Sequence, residues 1–251
     1  MIRRDADASG SADRGQSNVV GVALLLAIAV IGIGGLTAGI GAVVESNAAA
    51  ADASSVADGF DAALQPTETT GYREERVAFT GGRLTTEERT LRVLNESGVV
   101  ATVAVDALVY ESGDRRVAYE AGAVVRGRSG NSWLHDDPPI TASEGEGGVL
   151  VVGASALNAS DGTTTGAVGQ SVELSTNVSH DRRALGNDSY RVAIETTTPG
   201  AWKRHFEDSA GVASASGRQF PGDDHQSVVA TYRGDRTAYL VVHDMRLEVG
   251  P

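Results

Sequence analysis

Val19 to Val44 reads VVGVALLLAIAVIGIGGLTAGIGAVV, and it decides the architecture. These 26 residues contain no charged side chain. As an α-helix they would extend about 39 Å at roughly 1.5 Å per residue, longer than the roughly 30 Å hydrocarbon layer of a bilayer. A helix that packs in a soluble core keeps a polar face, and this one has none. The stretch therefore predicts a single membrane-spanning helix.

Flanking charge sets its expected direction. The leader carries Arg3, Arg4 and Arg14, whereas Glu45 to Leu64 contains no lysine or arginine. Positive residues are retained on the cytoplasmic side, so the N-terminus is expected inside and the chain from residue 45 outside. The Ala48–Ala51 run leaves open a conventional signal-peptidase cut after the apolar segment.

Immediately before the span stands Arg14-Gly15-Gln16-Ser17-Asn18-Val19-Val20. A basic residue, a glycine, a short polar stretch and then an uninterrupted apolar helix resembles the class III leader of archaeal type IV pilins, archaellins and related pilin-like surface proteins. The resemblance covers residues 14–45. It implies a prepilin peptidase that cuts between Gly15 and Gln16 and leaves the helix at the new N-terminus. It further implies partnership with other pilin-like subunits, or with copies of itself, through that helix. Two positions depart from common patterns. The fifth residue after the cut is Val20, where many bacterial members carry glutamate, and Ser17 is followed by Asn18 where many archaeal members have proline. Within the helix, Gly35 and Gly39 form a G-x-x-x-G pair of the kind that lets membrane helices approach closely.

Working outward, the chain divides into a leader (1–15), the apolar helix (16–45), a helical stalk and linker (46–71) and a β-rich domain (72–251). In the stalk, Val56, Phe60 and Leu64 recur at helical spacing and give one apolar stripe, with Pro66 ending the helix. From Tyr72 the period changes to two. Strands are expected at 89–94, 98–110, 116–119, 149–152, 171–178, 190–196, 228–232 and 237–249. Turns are expected at Ser112-Gly113-Asp114, Asp161-Gly162 and Gly234-Asp235, with a long exposed loop over 129–148. Pro199 to Asp208 predicts one short helix, with Trp202 and Phe206 on one face as core anchors. The expected class is thus α+β: a transmembrane, pilin-type helix followed by a mainly antiparallel, sandwich-like domain.

Composition narrows function. Of 251 residues, 33 are acidic and 21 basic, for a formal charge of −12, and Lys203 is the lone lysine. Such an acidic, lysine-poor chain resembles proteins of salt-loving archaea, where molar salt screens the self-repulsion. It argues against nucleic acid as a partner. There is no cysteine, which excludes disulfides and thiolate metal centres. Aromatic residues make up only 5%, so the core must rest on Val, Ala and Leu.

No phosphate-binding loop, nucleophile elbow or zinc-protease helix occurs. His135, His225 and His243 each neighbour aspartates, and Glu87-Glu88 and Glu144/Glu146 form acidic pairs. These read as solvated acidic loops, so neither a metal, a cofactor nor an enzymatic activity is expected. Four N-x-[ST] sequons, at Asn95, Asn158, Asn177 and Asn187, all lie on the side placed outside, where N-glycosylation requires an exposed loop. Asn158 is expected to be the most accessible and Asn177, within a strand, the least. The leading expectation is a non-enzymatic pilin-like cell-surface protein. The rivals are a monomeric membrane-anchored extracellular binding protein and, behind it, a surface hydrolase built on those histidines.

Overall fold

Helix α1 (Asp13–Leu64) takes in the apolar run and the stalk without interruption. The computed structural model describes residues 13–65, 67, 69–128, 130–145, 147–159, 165–166 and 171–250. The chain divides into two units, one ending at Asn47 and the other beginning at Ala48. The second unit holds the C-terminal part of α1, a sheet-rich body and helix α2 (Pro199–Asp208).

Two sheets form the body. The six-stranded sheet has the order β11 (Thr165–Gly166), β2 (Arg83–Glu87), β5 (Ala107–Ser112), β6 (Arg115–Glu120), β7 (Ala123–Arg128) and β8 (Asn131–Asp136), all antiparallel. The nine-stranded sheet runs β4 (Gly98–Ala104), β3 (Thr90–Asn95), β12 (Ser171–Glu195), β14 (Ser227–Asp244), β10 (Val149–Ala156) and β9 (Ile140–Ala142). Strands β1 (Gly71–Ala78) and β15 (Glu248–Gly250) also pair with β12, and β13 (Val212–Arg218) pairs with β14. The pairing of β10 with β14 is parallel; the other described pairs are antiparallel. The result is the expected α+β class.

The stalk's apolar stripe docks as its periodicity predicts. Val56, Phe60 and Leu64 are fully buried. They join one cluster with Leu84, Leu108, Tyr110, Val117, Tyr119 and Val124 of the six-stranded sheet, and with Val172, Leu174 and Leu247. Each such buried side chain contributes roughly 1.5–3 kcal/mol. Asp52 adds a polar anchor. Its Oδ2 accepts from the backbone N–H of Thr80 at 3.0 Å, the Thr80 hydroxyl at 2.7 Å and the Gly81 N–H at 3.2 Å. The helix ends at Leu64; Pro66 lies outside the described residues.

A second cluster joins α2 to the nine-stranded sheet, with Trp202 and Phe206 fully buried among Leu91, Val93, Leu150, Val152 and Ile194. The two rings meet at a tilt of 37° with their centroids 5.7 Å apart. The Trp202 indole N–H donates to Glu120 Oε2 at 2.9 Å, and the Thr196 hydroxyl donates to the same oxygen at 2.7 Å. Glu120 is wholly buried on β6, so two donors on one oxygen offset part of its desolvation.

Several boundaries differ from the periodicity reading. The expected strand over 98–110 is two strands in different sheets. It breaks at Val105-Asp106, where Asp106 has φ 47° and both N–H groups donate to the Arg89 carbonyl. The expected loop over 129–148 contains β8 and β9. Gly234-Asp235 is no turn but lies inside β14, where Gly234 at φ 62° takes up a bulge opposite Ser189 and Arg191. The expected strands at 171–178 and 190–196 are one 25-residue strand shared between several partners. Strands β1, β2, β7 and β13 carry polar or glycine-rich sequences that hide their alternation. The Ser112-Gly113-Asp114 turn is present between β5 and β6; Asp161-Gly162 lies outside the described residues.

Candidate functional site

The first candidate is the apolar part of α1 itself. Every residue from Val20 to Ala48 is exposed, including Leu24, Leu25, Leu26, Ile31 and Leu36. It is the one helix among the described residues that is long and apolar enough to cross a membrane, with a mean hydropathy of 2.5. A helix suits a bilayer because its backbone groups satisfy one another. Thr37, the polar side chain near its centre, donates its hydroxyl back to the Ile33 carbonyl at 2.9 Å. A Cβ placed on Gly32, Gly35 or Gly39 meets nothing within 4 Å. These glycines therefore serve no packing inside the described chain. Residues 1–12 and the side chains of Arg14 and Gln16 lie outside the described residues; the backbone from Asp13 through Gly15 and Gln16 is helical.

The sequons are spread over the β-rich unit. Asn158, Asn177 and Asn187 are exposed, and Asn95 is half-buried. Asn158 has φ 41° and donates from Nδ2 to Asp244 Oδ1 at 2.7 Å; the Ser160 of its sequon lies outside the described residues. Asn177 lies within β12 as expected, yet its side chain faces out. Asn95 donates to Asp188 Oδ2 at 2.7 Å and accepts from the Ser97 N–H at 2.9 Å, a local turn that holds its amide.

The histidines disperse. His135 Nε2 stands 3.5 Å from Asp58 on α1, and the His225 backbone N–H donates to Glu195 Oε1 at 3.0 Å. His243 instead faces His180, with their Nδ1 atoms 3.0 Å apart. Glu87 is held by Arg89 and by Arg116 at 3.0 Å, so Glu87-Glu88 is part of an ion-pair network and no acid–base dyad. Glu144 is exposed, and Glu146 lies outside the described residues. Among the described residues, no three His, Asp or Glu side chains group as metal ligands.

Burial tunes a few groups. It pushes the His205 imidazole below its ordinary value, an effect that Asp137 at 3.1 Å partly opposes. It raises the Asp136 carboxyl, helped by the negative charge of Asp61. It drives the Tyr232 phenol far upward. The His205 ring lies between Asp137 at Nδ1 and Ser209, whose hydroxyl stands 3.4 Å from Nε2 and donates to the His205 carbonyl at 2.7 Å.

Two of the concavities along the sheets are wide enough to consider as sites. One, of about 480 Å³, lies between the six-stranded sheet and the start of α2, with Arg116, Ser132, Thr198 and Arg204 in its wall. The other, of about 680 Å³, runs over the outer face of the nine-stranded sheet past Gly153, Arg182, Tyr239, His180 and His243. Neither was legible in the sequence, because each wall is assembled from distant strands.

No curated protein and no solved structure matches the chain. One family does, from Arg14 to Glu248, and so embraces both the apolar helix and the β-rich unit. With 235 of 251 residues matched (248 less 14, inclusive), the chain belongs to DUF7289, a family of unknown function.

Proposed function

We propose that this protein is a non-enzymatic, pilin-like cell-surface protein of a salt-loving archaeon. In this reading a prepilin peptidase removes residues 1–15, and the apolar helix anchors the chain in the cell membrane. The β-rich unit faces outward, carries N-linked glycans, and makes adhesive or subunit contacts as a minor component of a type IV pilus-like assembly. The observation that carries this is the long apolar helix, exposed over its whole circumference, whose glycines meet nothing among the described residues. Small residues of that kind serve close helix–helix approach, first in the bilayer and then in a filament core.

A second reading, a monomeric membrane-anchored binding protein, draws support from the 680 Å³ groove on the outer sheet face. The same experiment separates the two. The full chain is expressed with and without a prepilin peptidase, and the mature N-terminus is sequenced. Processing predicts Gln16 as the first residue and a block by Gly15→Trp. An intact Met1 defeats the pilin reading. Shearing the cells then releases high-mass assemblies if the protein polymerises, whereas a tethered receptor stays with the membrane.

A further inference from the structure

The outer face of the nine-stranded sheet carries an unusual polar row. Antiparallel pairing of β12 with β14 sets His180 directly opposite His243, and parallel pairing of β10 with β14 sets Ser155 beside His243. Directly paired residues share a face, so the three lie side by side across neighbouring strands. The His180 and His243 Nδ1 atoms are 3.0 Å apart, with the rings edge to face at 85°. Ser155 is wholly buried, and among the described residues neither its Oγ nor the buried Nε2 of His180 has a hydrogen-bond partner. Buried polar atoms left unsatisfied are rare and require a reason.

The geometry points to a site for a transition-metal dication of the zinc, nickel or copper kind, held by Nδ1 of His180 and Nδ1 of His243. An imidazole nitrogen binds zinc at about 2.0–2.1 Å. Two such donors stand about 2.9 Å apart at a right angle and about 3.4 Å apart at the tetrahedral angle. The observed 3.0 Å falls between these limits. The remaining coordination positions open toward the groove and the Ser155 row, where water or a small anionic donor completes the shell.

The donor set also selects the ion. Asp181 and Asp244 neighbour the two histidines in sequence but alternate to the other face. Asp181 lines a separate concavity with Val100 and Thr102, and Asp244 is engaged by Asn158 and Arg246. Magnesium and calcium favour several carboxylate oxygens, and among the described residues no cluster of carboxylates joins the pair, whereas borderline metals accept imidazole. Arg182 and Arg183 border the same groove and oppose a bare cation. They favour a bound ion whose outer ligand is an anion, and they keep the affinity modest. The sequence concealed this pair because 63 residues separate its members.

The test uses the tag-free full chain in detergent, titrated with zinc chloride and separately with magnesium chloride by calorimetry, and followed by thermal unfolding. Wild type should bind one zinc ion saturably and gain thermal stability, with no response to magnesium at the same concentration. His180→Gln should weaken zinc binding at least tenfold while its metal-free melting temperature stays near that of wild type. His135→Gln, on a distant strand, should bind as wild type does. Equal zinc affinity in wild type and His180→Gln overturns the assignment, as does equal weakening by His135→Gln or an equal response to magnesium.

Discussion

Helix α1 contains two stretches of similar amino acids with opposite fates. Val20 to Val44 is exposed on every side; Ala49 to Leu64 buries a stripe against two sheets. Both are rich in alanine, and both contain glycine. The difference is in distribution. In the first stretch apolar residues occupy all faces, so no single face can direct it to a partner in the same chain. In the second, apolar residues recur every four positions between Asp and Ser, so one face docks and the rest stays wet. The glycines respond accordingly. A Cβ on Gly59 would stand 2.8 Å from a Val77 methyl, whereas one on Gly35 or Gly39 would meet nothing within 4 Å among the described residues. High hydropathy alone does not bring a helix into a core; a face does.

That contrast can be broken by paired substitutions. The largest effect is expected for Phe60→Ala, which leaves a cavity between α1 and the six-stranded sheet and costs about 3–5 kcal/mol. Leu25→Ala in the exposed stretch should leave the unfolding midpoint of the β-rich unit unmoved. Chemical unfolding of the full chain in detergent, followed by tryptophan fluorescence, reads both. Equal losses would mean that the apolar stretch is also part of the folded core.

Next comes Gly59→Leu, whose added carbons have to displace Val77, at a cost of about 1–3 kcal/mol. Gly35→Leu should leave domain stability unchanged and instead weaken helix–helix association, read as a loss of high-mass species after cross-linking in membranes. Trp202→Phe should cost about 1–3 kcal/mol. It removes the indole donor from buried Glu120, a loss the helix stripe does not share.

The smallest effect separates the stretches by pH. No group titrates between Val19 and Val44, so association through that helix should not change between pH 8 and pH 5. The β-rich unit behaves differently because burial depresses the His205 pKa. The unfolded chain then binds a proton more readily than the folded one. Stability is complete above the ordinary imidazole value of about 6.5 and declines as pH falls through that value toward the lower folded one. His205→Gln should flatten the decline in melting temperature over this range.

The elements legible in the sequence were those encoded locally. The apolar run, the Val56–Phe60–Leu64 stripe, the Trp202/Phe206 helix and the alternating strands expected at 89–94 and 116–119 each carry their period within a dozen residues. The strands that were hidden are those whose neighbours excuse their composition. Strand β1 is largely exposed and charged, and β8 alternates around Trp133 and His135 in a stretch that composition assigns to a loop. At Asp106 and Gly234 the dihedral angles decided matters in opposite directions, breaking one expected strand and carrying another through an expected turn.

By itself the sequence determined that a long uncharged helix precedes an acidic, cysteine-free, β-rich body, because hydropathy and charge are properties of neighbouring residues. Only the tertiary structure decided which strands share a sheet, that Glu120 is buried beneath Trp202, and that His180 meets His243. Those facts depend on strand order and register. Register arises from closing long loops around a common core, and no local pattern records which distant partner is reached.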